Sequence, residues 1–274
     1  MIHICYPCCH SAKCKHYLKH SLDSVAKFNK NIVVSMLNSI GPDGKMEFND
    51  DDIEIYRQIL AKHGIKTPLR VFDVSLVIDK FRKCRPLKGQ WNAYKRLFIN
   101  LIYKTYMPGV NRVLYLDEDT ICTGSLWKLY NEDMKGRPYM GFMDACIVNY
   151  YPFMPDFTLT HNRNYVNSGV ILIDVNYDIY PELDNYIKNA IKWNRLHIPY
   201  MHDQTLINMF HPNVFECSKQ KRRFHFTYED YYAQLIISIE KTYNIIHYWR
   251  HKRVRKRFFN NRWDDVIYKI IDTA

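Results

Sequence analysis

Short apolar runs alternate with amphipathic stretches along the chain. The apolar runs predict strands at residues 2–6, 31–37, 70–77, 112–116, 139–145 and 170–175, with further strand material inside 236–248. Helical spacing of apolar residues predicts helices at 15–29, 53–63, 90–106, 184–196 and 204–210. Such alternation is typical of an α/β fold, with a mostly parallel wound sheet and flanking helices. Because no repeat or low-complexity linker interrupts the pattern, we expect one main domain.

Composition excludes several classes of protein. The chain has 274 residues and is 47% hydrophobic, which is enough for one large core. It has only 9 glycines and lacks G-x-G-x-x-G and G-x-x-x-x-G-K-[ST]. The glycine-rich phosphate-binding loops of dinucleotide-binding and P-loop folds are therefore missing from this chain. No stretch approaches the ~20 apolar residues of a membrane span. Polar residues from His3 to His10 interrupt any signal-peptide core, so we expect a cytoplasmic protein with reduced thiols.

The charge balance indicates anionic partners. The chain carries 39 basic and 28 acidic residues, for a formal net charge of +11. Much of the excess lies at residues 219–223 and 250–257, in the last fifth of the chain. Nucleotide phosphates, nucleic acid and an acidic membrane surface are the partners that such a balance favours.

Three acids follow directly on an apolar strand. Residues 113–116 (Val-Leu-Tyr-Leu) run into Asp117, Glu118 and Asp119. Burying acids is costly unless a cation or hydrogen bonds compensate them, and carboxylate oxygens suit Mg²⁺ or Mn²⁺. Side chains at i and i+2 of extended backbone point the same way, so Asp117 and Asp119 could share one metal. For an isolated Asp-x-Asp, an acidic loop that caps the next helix is the commoner explanation.

A cysteine cluster allows a different metal site. Four cysteines (Cys5, Cys8, Cys9 and Cys14) lie near His10 and His16, and C-x₂-C is a zinc-ligand spacing. No second pair stands at zinc-finger spacing, and Cys5 lies within a predicted strand. The sequence therefore favours small buried thiols over zinc.

Five motifs occur in a fixed order between about residues 90 and 250. They are Tyr94-Lys-Arg96-Leu, Val113-Leu-Tyr-Leu-Asp117-Glu-Asp119-Thr, Tyr165-Val-Asn167-Ser-Gly-Val-Ile-Leu-Ile173, His202-Asp203-Gln204-Thr-Leu-Ile-Asn208 and Ile246-His247-Tyr248. This series resembles the family-eight retaining glycosyltransferases, which include bacterial lipopolysaccharide galactosyl- and glucosyltransferases and glycogenin. The resemblance implies a single GT-A-type domain over residues 1–248.

The resemblance also implies roles for individual residues. Asp117 and Asp119 match the metal-binding Asp-x-Asp of the family, and His247 matches its third ligand; adding imidazole favours Mn²⁺, with Mg²⁺ as the alternative. Arg96 matches a basic residue near the donor diphosphate. The matches to polar residues around the donor sugar, the acceptor and the reaction centre are Asn167, Asp203, Gln204 and Asp144.

Taken alone, each of these polar residues has a simpler explanation. Asn167 could belong to a turn before a strand, and Asp203 could be a helix cap. His247 could be a hydrogen-bonded core histidine, unless a metal is argued independently. The acids at residues 117–119 provide that argument.

Two departures from the family pattern affect these expectations. Residues 5–10 (Cys-Tyr-Pro-Cys-Cys-His) stand where the family usually has acidic and polar residues that read the nucleotide. After His247, the usual Gly and Lys-Pro-Trp are replaced by Tyr-Trp-Arg-His-Lys-Arg, ending at Arg253. Arginine at position 253 would neutralise the diphosphate in place of the family's lysine, and it can do so bidentately.

The implied activity is transfer of galactose or glucose, with retention, from a UDP-hexose donor to a glycan or lipid-linked saccharide acceptor, as in lipopolysaccharide biosynthesis. Residues 249–274 form a basic aromatic tail that we expect to contact an acceptor or an anionic inner membrane face; a solvated basic helix face is the alternative. We expect no nucleic-acid partner. The alternative functions are a metal-dependent phosphoryl hydrolase or nucleotidyltransferase, which would use the same acids, and a basic nucleic-acid-binding protein, which would leave the acids unexplained.

Overall fold

A computed structural model of the chain describes residues 1–7, 12–41, 43–76, 91–143, 165–179, 202–210, 212–214 and 245–247, together with single positions 185, 188 and 192. The described strands are β1 (Ile2–Pro7), β2 (Ile32–Asn38), β3 (Arg70–Asp73), β4 (Arg112–Leu116), β5 (Thr120–Cys122), β6 (Tyr139–Met143), β7 (Val166–Asp174), β8 (Asn213–Val214) and β9 (Ile245–His247). The described helices are α1 (Ala12–Phe28), α2 (Asp50–Lys62), α3 (Ile99–Tyr106), α4 (Trp127–Tyr130) and α5 (His202–Met209), with a 3-10 helix at Trp91–Phe98.

Seven of these strands form one sheet in the order β3-β2-β1-β4-β7-β6-β8, and β5 and β9 form a second, two-stranded sheet. Within the large sheet, β3, β2, β1 and β4 are mutually parallel, as are β6 and β8. Only β7 runs antiparallel to its neighbours β4 and β6 among these pairs. The predicted α/β class with a mostly parallel wound sheet is therefore confirmed.

The strand order reverses direction between β1 and β4. From β1 the chain builds outward through β2 and β3, and it then returns to place β4 on the other side of β1. Open α/β sheets bind ligands at the carboxyl ends of the strands at such a switch point. The three acids come directly after the carboxyl end of β4, so the topology places them at this edge.

Helices cover both faces of the sheet, which is why its central strands are largely apolar. On one face, Ile4, Tyr6 and Leu114 pack with residues of α1 and α2. On the other face, Cys5 and Tyr115 pack with residues of the 3-10 helix, α3 and α5. Adjacent strand residues thus belong to opposite cores, as the period of two in a strand requires.

Capping and turn chemistry explain where α2 begins and ends. Asn49 accepts a hydrogen bond from the Asp52 amide and the Asp52 side chain accepts one from the Asn49 amide, which completes a capping box. Gly64, at φ +73°, follows the helix in the left-handed conformation that glycine adopts most readily. The predicted end of this helix at Gly64 is confirmed.

Several predicted elements differ from the structure in their bounds. The strand expected over 70–77 ends at Asp73, and the helix expected from about Ile53 begins at Asp50. The helix expected over 90–106 is a 3-10 helix up to Phe98 and an α-helix from Ile99. The strand expected at 170–175 begins earlier, at Val166, so Asn167 lies inside a strand rather than in a turn before it. The helix expected at 184–196 falls almost wholly outside the described residues.

No helix in the described part of the chain is both long enough and apolar enough to cross a membrane.

Candidate functional site

The three acids occupy a turn between β4 and β5. The Asp117 amide donates to the Gly169 carbonyl of β7 at 2.8 Å, and the Thr120 hydroxyl donates to the Asp117 carbonyl at 2.8 Å. Residues Glu118 and Asp119 form the turn itself, and all three acids are half-buried. The expectation that Asp117 and Asp119 lie in extended backbone was therefore wrong. Asp119 instead lies within the turn that directly follows Asp117.

Arg96, on the 3-10 helix, joins this turn to α5 and β7. Its guanidinium lies 3.3 Å from Asp117 Oδ1 and 2.6 Å from Asp203 Oδ2, and it donates to the Ser168 carbonyl at 2.8 Å. The contact with Asp203 is an ion pair rather than an aligned hydrogen bond. The guanidinium also lies 4.8 Å from the centre of the Tyr115 ring, so it is held on several sides.

The surroundings of Arg96 keep it positively charged, and those of Asp203 leave it partly protonated near pH 7. Burial by itself would lower the pKa of Arg96, but the carboxylates of Asp117 and Asp203 outweigh this effect and raise it. Burial raises the pKa of Asp203 to about 7, with Arg96 opposing the shift and Asp117 adding to it. Asp203 can thus exchange a proton near neutral pH, which perturbed acids in binding sites often do.

Tyr115 orients the Asp117 carboxylate. Its hydroxyl donates to Asp117 Oδ1 at 2.7 Å. Burial raises the pKa of Tyr115 well above its usual value despite the nearby Arg96, so the hydroxyl stays protonated and remains a donor. The contacts from Tyr115 and Arg96 both fall on Oδ1, which restricts the rotation of this carboxylate.

Polar residues of α5 hold the first half of β7. The side chain of Asn208 bonds to both backbone groups of Val166, as a neighbouring strand would. Its Oδ1 accepts from the Val166 backbone amide at 2.7 Å, and its Nδ2 donates to the Val166 carbonyl at 2.9 Å. Gln204 Oε1 accepts from the backbone amide of Ser168 at 3.0 Å and from its hydroxyl at 3.3 Å. Asn167 Oδ1 accepts from the Gly169 amide at 2.8 Å. These buried contacts fix the strand segment that Arg96 also touches.

The structure brings Arg96, Asp117, Asp203, Gln204 and Asn167 to one edge of the sheet. Asp119 lies on the same turn as Asp117. The backbone of β9 pairs His247 with Thr120, the residue directly after Asp119. His247 is described in its backbone, and Asp144 and Arg253 lie outside the described residues.

The donor set around the turn fits a divalent cation. Two carboxylates stand at a strand end, and the register of β5 with β9 brings the backbone of a histidine alongside. Carboxylate oxygen together with imidazole suits Mn²⁺. Among the described residues no three His, Cys, Asp or Glu side chains come together as a metal site, and the His247 side chain is not among those described.

The same finding bears on the zinc alternative. Cys5 is a free thiol inside β1, and burial raises its pKa far above the usual value, which opposes the thiolate that zinc requires. Its described neighbours in the cluster, Cys14 and His16, join no metal group within the described ranges. Cys8, Cys9 and His10 lie outside those ranges.

Several residues near this edge had no predicted role. Lys95, next to Arg96, forms a buried ion pair with Glu47, from a loop expected only to be polar. Tyr6 and Ser21 form a buried hydrogen-bonded chain of hydroxyls that leads to Thr120. A polar residue on the apolar face of a helix, such as Ser21 between the buried Leu18 and Val25 in α1, is the sequence signal that could have indicated such a network.

Comparison with known proteins gives one family. A model described as glycosyl transferase family 8 matches residues 9–255. A probable galacturonosyltransferase-like 9 from Arabidopsis thaliana is 31% identical over 78 residues, a match that spans 25% of this chain and only 20% of that relative.

Solved structures share the fold. The galactosyltransferase LgtC, in complex with donor and acceptor sugar analogues, superposes with a TM-score of 0.69 at 15% identity, covering 100% of this chain and 96% of that chain. An active-site mutant of LgtC, in which glutamate replaces a glutamine, gives a TM-score of 0.70 at 16% identity, with 99% and 95% covered. The glycosyltransferase GlyE of Streptococcus pneumoniae gives 0.60 at 18% identity, with 98% of this chain and 60% of that chain covered.

Proposed function

Because the chain belongs to glycosyl transferase family 8, we propose that it is a metal-assisted retaining hexosyltransferase. In this proposal it transfers galactose or glucose from a UDP-sugar to a glycan or lipid-linked saccharide acceptor. Residues 1–248 form the transferase domain, and the basic aromatic tail at 249–274 contacts the acceptor or an anionic inner membrane face. The family match favours this activity over phosphoryl hydrolysis, nucleotidyl transfer or nucleic-acid binding.

The observation that carries the proposal is the position of Arg96. One guanidinium contacts Asp117 on the turn after β4 and Asp203 at the start of α5. The two acids come from elements that are far apart in sequence, yet both stand at the carboxyl edge of the sheet. A nucleotide-sugar donor must have its diphosphate and its sugar held by adjacent groups, and the linked Asp117 and Asp203 are two such groups at the carboxyl edge.

On the diphosphate side, we assign the metal to Asp117, Asp119 and His247. Arg96 restricts the Asp117 carboxylate, and Arg253 neutralises the diphosphate. A bound Mn²⁺ would stabilise the negative charge that develops on the leaving diphosphate, and Mg²⁺ would supply the same chemistry. Because the pKa of Arg96 is raised, its positive charge persists throughout the neutral range.

On the sugar side, we assign the donor hydroxyls to Asn167 and Asp203, and the acceptor side to Asp144. Asp203 is buried against Arg96 and has a pKa of about 7, so it can accept or donate a hydrogen bond to a sugar hydroxyl near neutral pH. In the active-site mutant of LgtC a glutamate replaces a glutamine, so that protein has a glutamine in its active site. Gln204 is our candidate for the equivalent position.

We propose that the acceptor attacks from the face that the diphosphate leaves, so that the new bond keeps the donor configuration. Gln204 would lie beneath the anomeric carbon and stabilise its positive charge. Its Oε1 accepts two hydrogen bonds from Ser168. Gln204 must therefore exchange at least one of these contacts when the donor binds. A neutral amide is a weak nucleophile, which favours this one-face route over a covalent intermediate.

Incubation with UDP-galactose, UDP-glucose and other UDP-sugars in the presence of Mn²⁺ tests the proposal. We expect release of UDP and free hexose from one or two donors, and we expect EDTA to abolish it. Asp119→Asn keeps the size of the side chain but removes a charged ligand, so turnover should fall by about 10²–10³-fold, the range reported for loss of one stabilising group in a transition state.

Three outcomes would contradict parts of this proposal. Full activity of Asp119→Asn would remove the metal assignment, and release of nucleoside monophosphate would indicate a phosphoryl hydrolase or nucleotidyltransferase. Once an acceptor is found, proton spectroscopy of the product gives its anomeric coupling. A β-linked product from an α-linked donor would mean inversion.

A further inference from the structure

We propose that Thr120 is a positioning residue for the metal-binding turn, held in place by a chain of buried hydroxyl groups that runs from β1 through α1. The inference rests on the proposed function, since it concerns the turn that carries Asp117 and Asp119. Thr120 follows Asp119 directly, and its backbone pairs with His247 across β5 and β9. It therefore stands between the two proposed carboxylate ligands and the strand of the proposed imidazole ligand.

Three hydroxyl groups form the chain. Tyr6 Oη lies 2.9 Å from Ser21 Oγ, Ser21 Oγ lies 3.0 Å from Thr120 Oγ1, and Thr120 Oγ1 lies 2.8 Å from the Asp117 carbonyl. All three side chains are buried. Buried hydroxyls that are fully paired specify one arrangement of a core, because each is expensive to leave without a partner.

The direction of every hydrogen bond in this chain is determined. A carbonyl oxygen only accepts, so the single proton of the Thr120 hydroxyl points to the Asp117 carbonyl. Ser21 must then donate to Thr120, and Tyr6 must donate to Ser21. Burial raises the pKa of Tyr6, which keeps its hydroxyl protonated as the chain requires. The order Tyr6 to Ser21 to Thr120 to Asp117 thus ends on the backbone of the first proposed metal ligand.

Helix α1 and Asn29, the residue directly after it, also hold the strand and the loop that follow the turn. Ser24 Oγ accepts from the Cys122 amide at 2.9 Å, and Asn29 Oδ1 accepts from the Leu126 amide at 2.8 Å. Only the Thr120 contact reaches the carbonyl of a proposed ligand. The other two fix β5 and the loop beyond it. Thr120 is therefore expected to act on metal binding, whereas Ser24 is expected to act on stability alone.

Titration of Mn²⁺ in the presence of UDP, followed by the electron paramagnetic resonance of free Mn²⁺, tests this proposal. Thr120→Val keeps the shape of the side chain but removes the hydroxyl, and we expect Mn²⁺ affinity to fall about tenfold, which corresponds to one hydrogen bond. Thr120→Ser keeps the hydroxyl donor and alters only packing, so its Mn²⁺ affinity should lie within about threefold of that of the unchanged protein. In turnover assays the apparent KM for Mn²⁺ should rise more than kcat falls.

Ser24→Ala is the matched control, since it removes a buried hydroxyl of α1 that contacts β5 at Cys122 and not at Thr120. It should lower the urea midpoint and leave Mn²⁺ affinity unchanged. If Thr120→Val does not fold, Tyr6→Phe takes its place, and weaker Mn²⁺ binding supports the proposal. Mn²⁺ binding that is unchanged in the folded Thr120→Val or Tyr6→Phe protein would overturn it. Absence of Mn²⁺ binding by the unchanged protein would instead overturn the metal site itself.

Discussion

Lys95 and Arg96 are neighbours on one 3-10 helix, yet they differ in their exposure and in the number of acids that they contact. Lys95 pairs with Glu47 from the loop before α2, and both side chains are 0% exposed. Arg96 is 12% exposed and contacts two carboxylates, Asp117 and Asp203, as well as a backbone carbonyl. One cation is thus matched to one acid in the interior, and the next is shared between two acids at the edge of the sheet.

This difference separates a structural pair from the residue that we propose meets the donor. The Lys95–Glu47 pair lies in the interior: Glu47 Oε2 also accepts from the Ser39 hydroxyl at 3.2 Å, while Glu47 Oε1 is buried with no hydrogen-bond partner among the described residues. The loop of Glu47 is held by the Asn38 side chain through both backbone groups of Phe48. Arg96 is instead partly exposed at the edge of the sheet, where we propose that the metal and the donor bind. Buried pairs fix a geometry, whereas shared charges at an edge can respond to a bound group.

Breaking the buried Lys95–Glu47 pair should have the largest effect on stability. Lys95→Met leaves the Glu47 carboxylate buried without its cation, and we expect the free energy of unfolding to fall by about 3–5 kcal/mol, which urea titration would measure. Combining Lys95→Met with Glu47→Leu removes both charges and should recover much of the loss. Lys62→Ala is the control, because Lys62 pairs with Asp23 at 3.2 Å but is 68% exposed, and it should change stability by less than about 1 kcal/mol. Equal losses at Lys95 and Lys62 would show that the Lys95 pair carries no special structural role.

Changing the shared cation should act on activity more than on stability. Arg96→Lys keeps the charge, but one ammonium cannot reach Asp117, Asp203 and the Ser168 carbonyl as the planar guanidinium does. We expect kcat/KM for the donor to fall about 10–100-fold, the equivalent of one charge-assisted hydrogen bond. The urea midpoint serves as the second measurement. A loss of stability as large as that of Lys95→Met, with normal activity in the folded fraction, would reverse the roles assigned to the two residues.

The pH dependence of stability should have opposite signs at two acids. The pKa of Asp203 is raised to about 7, so in EDTA its contribution to stability is full below the unfolded value of about 3.9 and is lost as pH rises through 7. Burial acts to raise the pKa of Asp23, but His63 and Lys62 outweigh it and lower that pKa, so the stability it contributes is present above about 3.9 and is lost as pH falls through its folded value.

Each acid is tested by its amide variant. Asp203→Asn should flatten the fall of the unfolding free energy between about pH 4 and 7, a slope of up to about 1.4 kcal/mol per pH unit, as expected for one proton. Asp23→Asn should act only in the acid range. An unchanged slope in Asp203→Asn would mean that Asp203 is ionised throughout the neutral range.

Much of the fold follows from local pattern. The strand Arg112–Leu116 has the predicted bounds because an apolar run ends abruptly in acids, and α2 ends near the predicted Gly64. The break between the 3-10 helix and α3 at Phe98 was missed because aromatic spacing over 90–106 continues without a breaker. The early start of β7 was missed because Asn167 and Ser168 are polar, yet Gln204 and Asn208 satisfy them and their neighbours inside the core.

The sequence by itself determined the α/β class, the carboxyl edge that carries the acids, and the ordered motifs that match the family. Tertiary structure alone decided which polar groups meet. Arg96 contacts Ser168 across 72 positions, Lys95 contacts Glu47 across 48, and Ser21 contacts Thr120 across 99. Hydrophobic periodicity records which face of an element is buried. It carries no information about which polar side chain completes a hydrogen bond on that face, because the partner is set by how the elements pack.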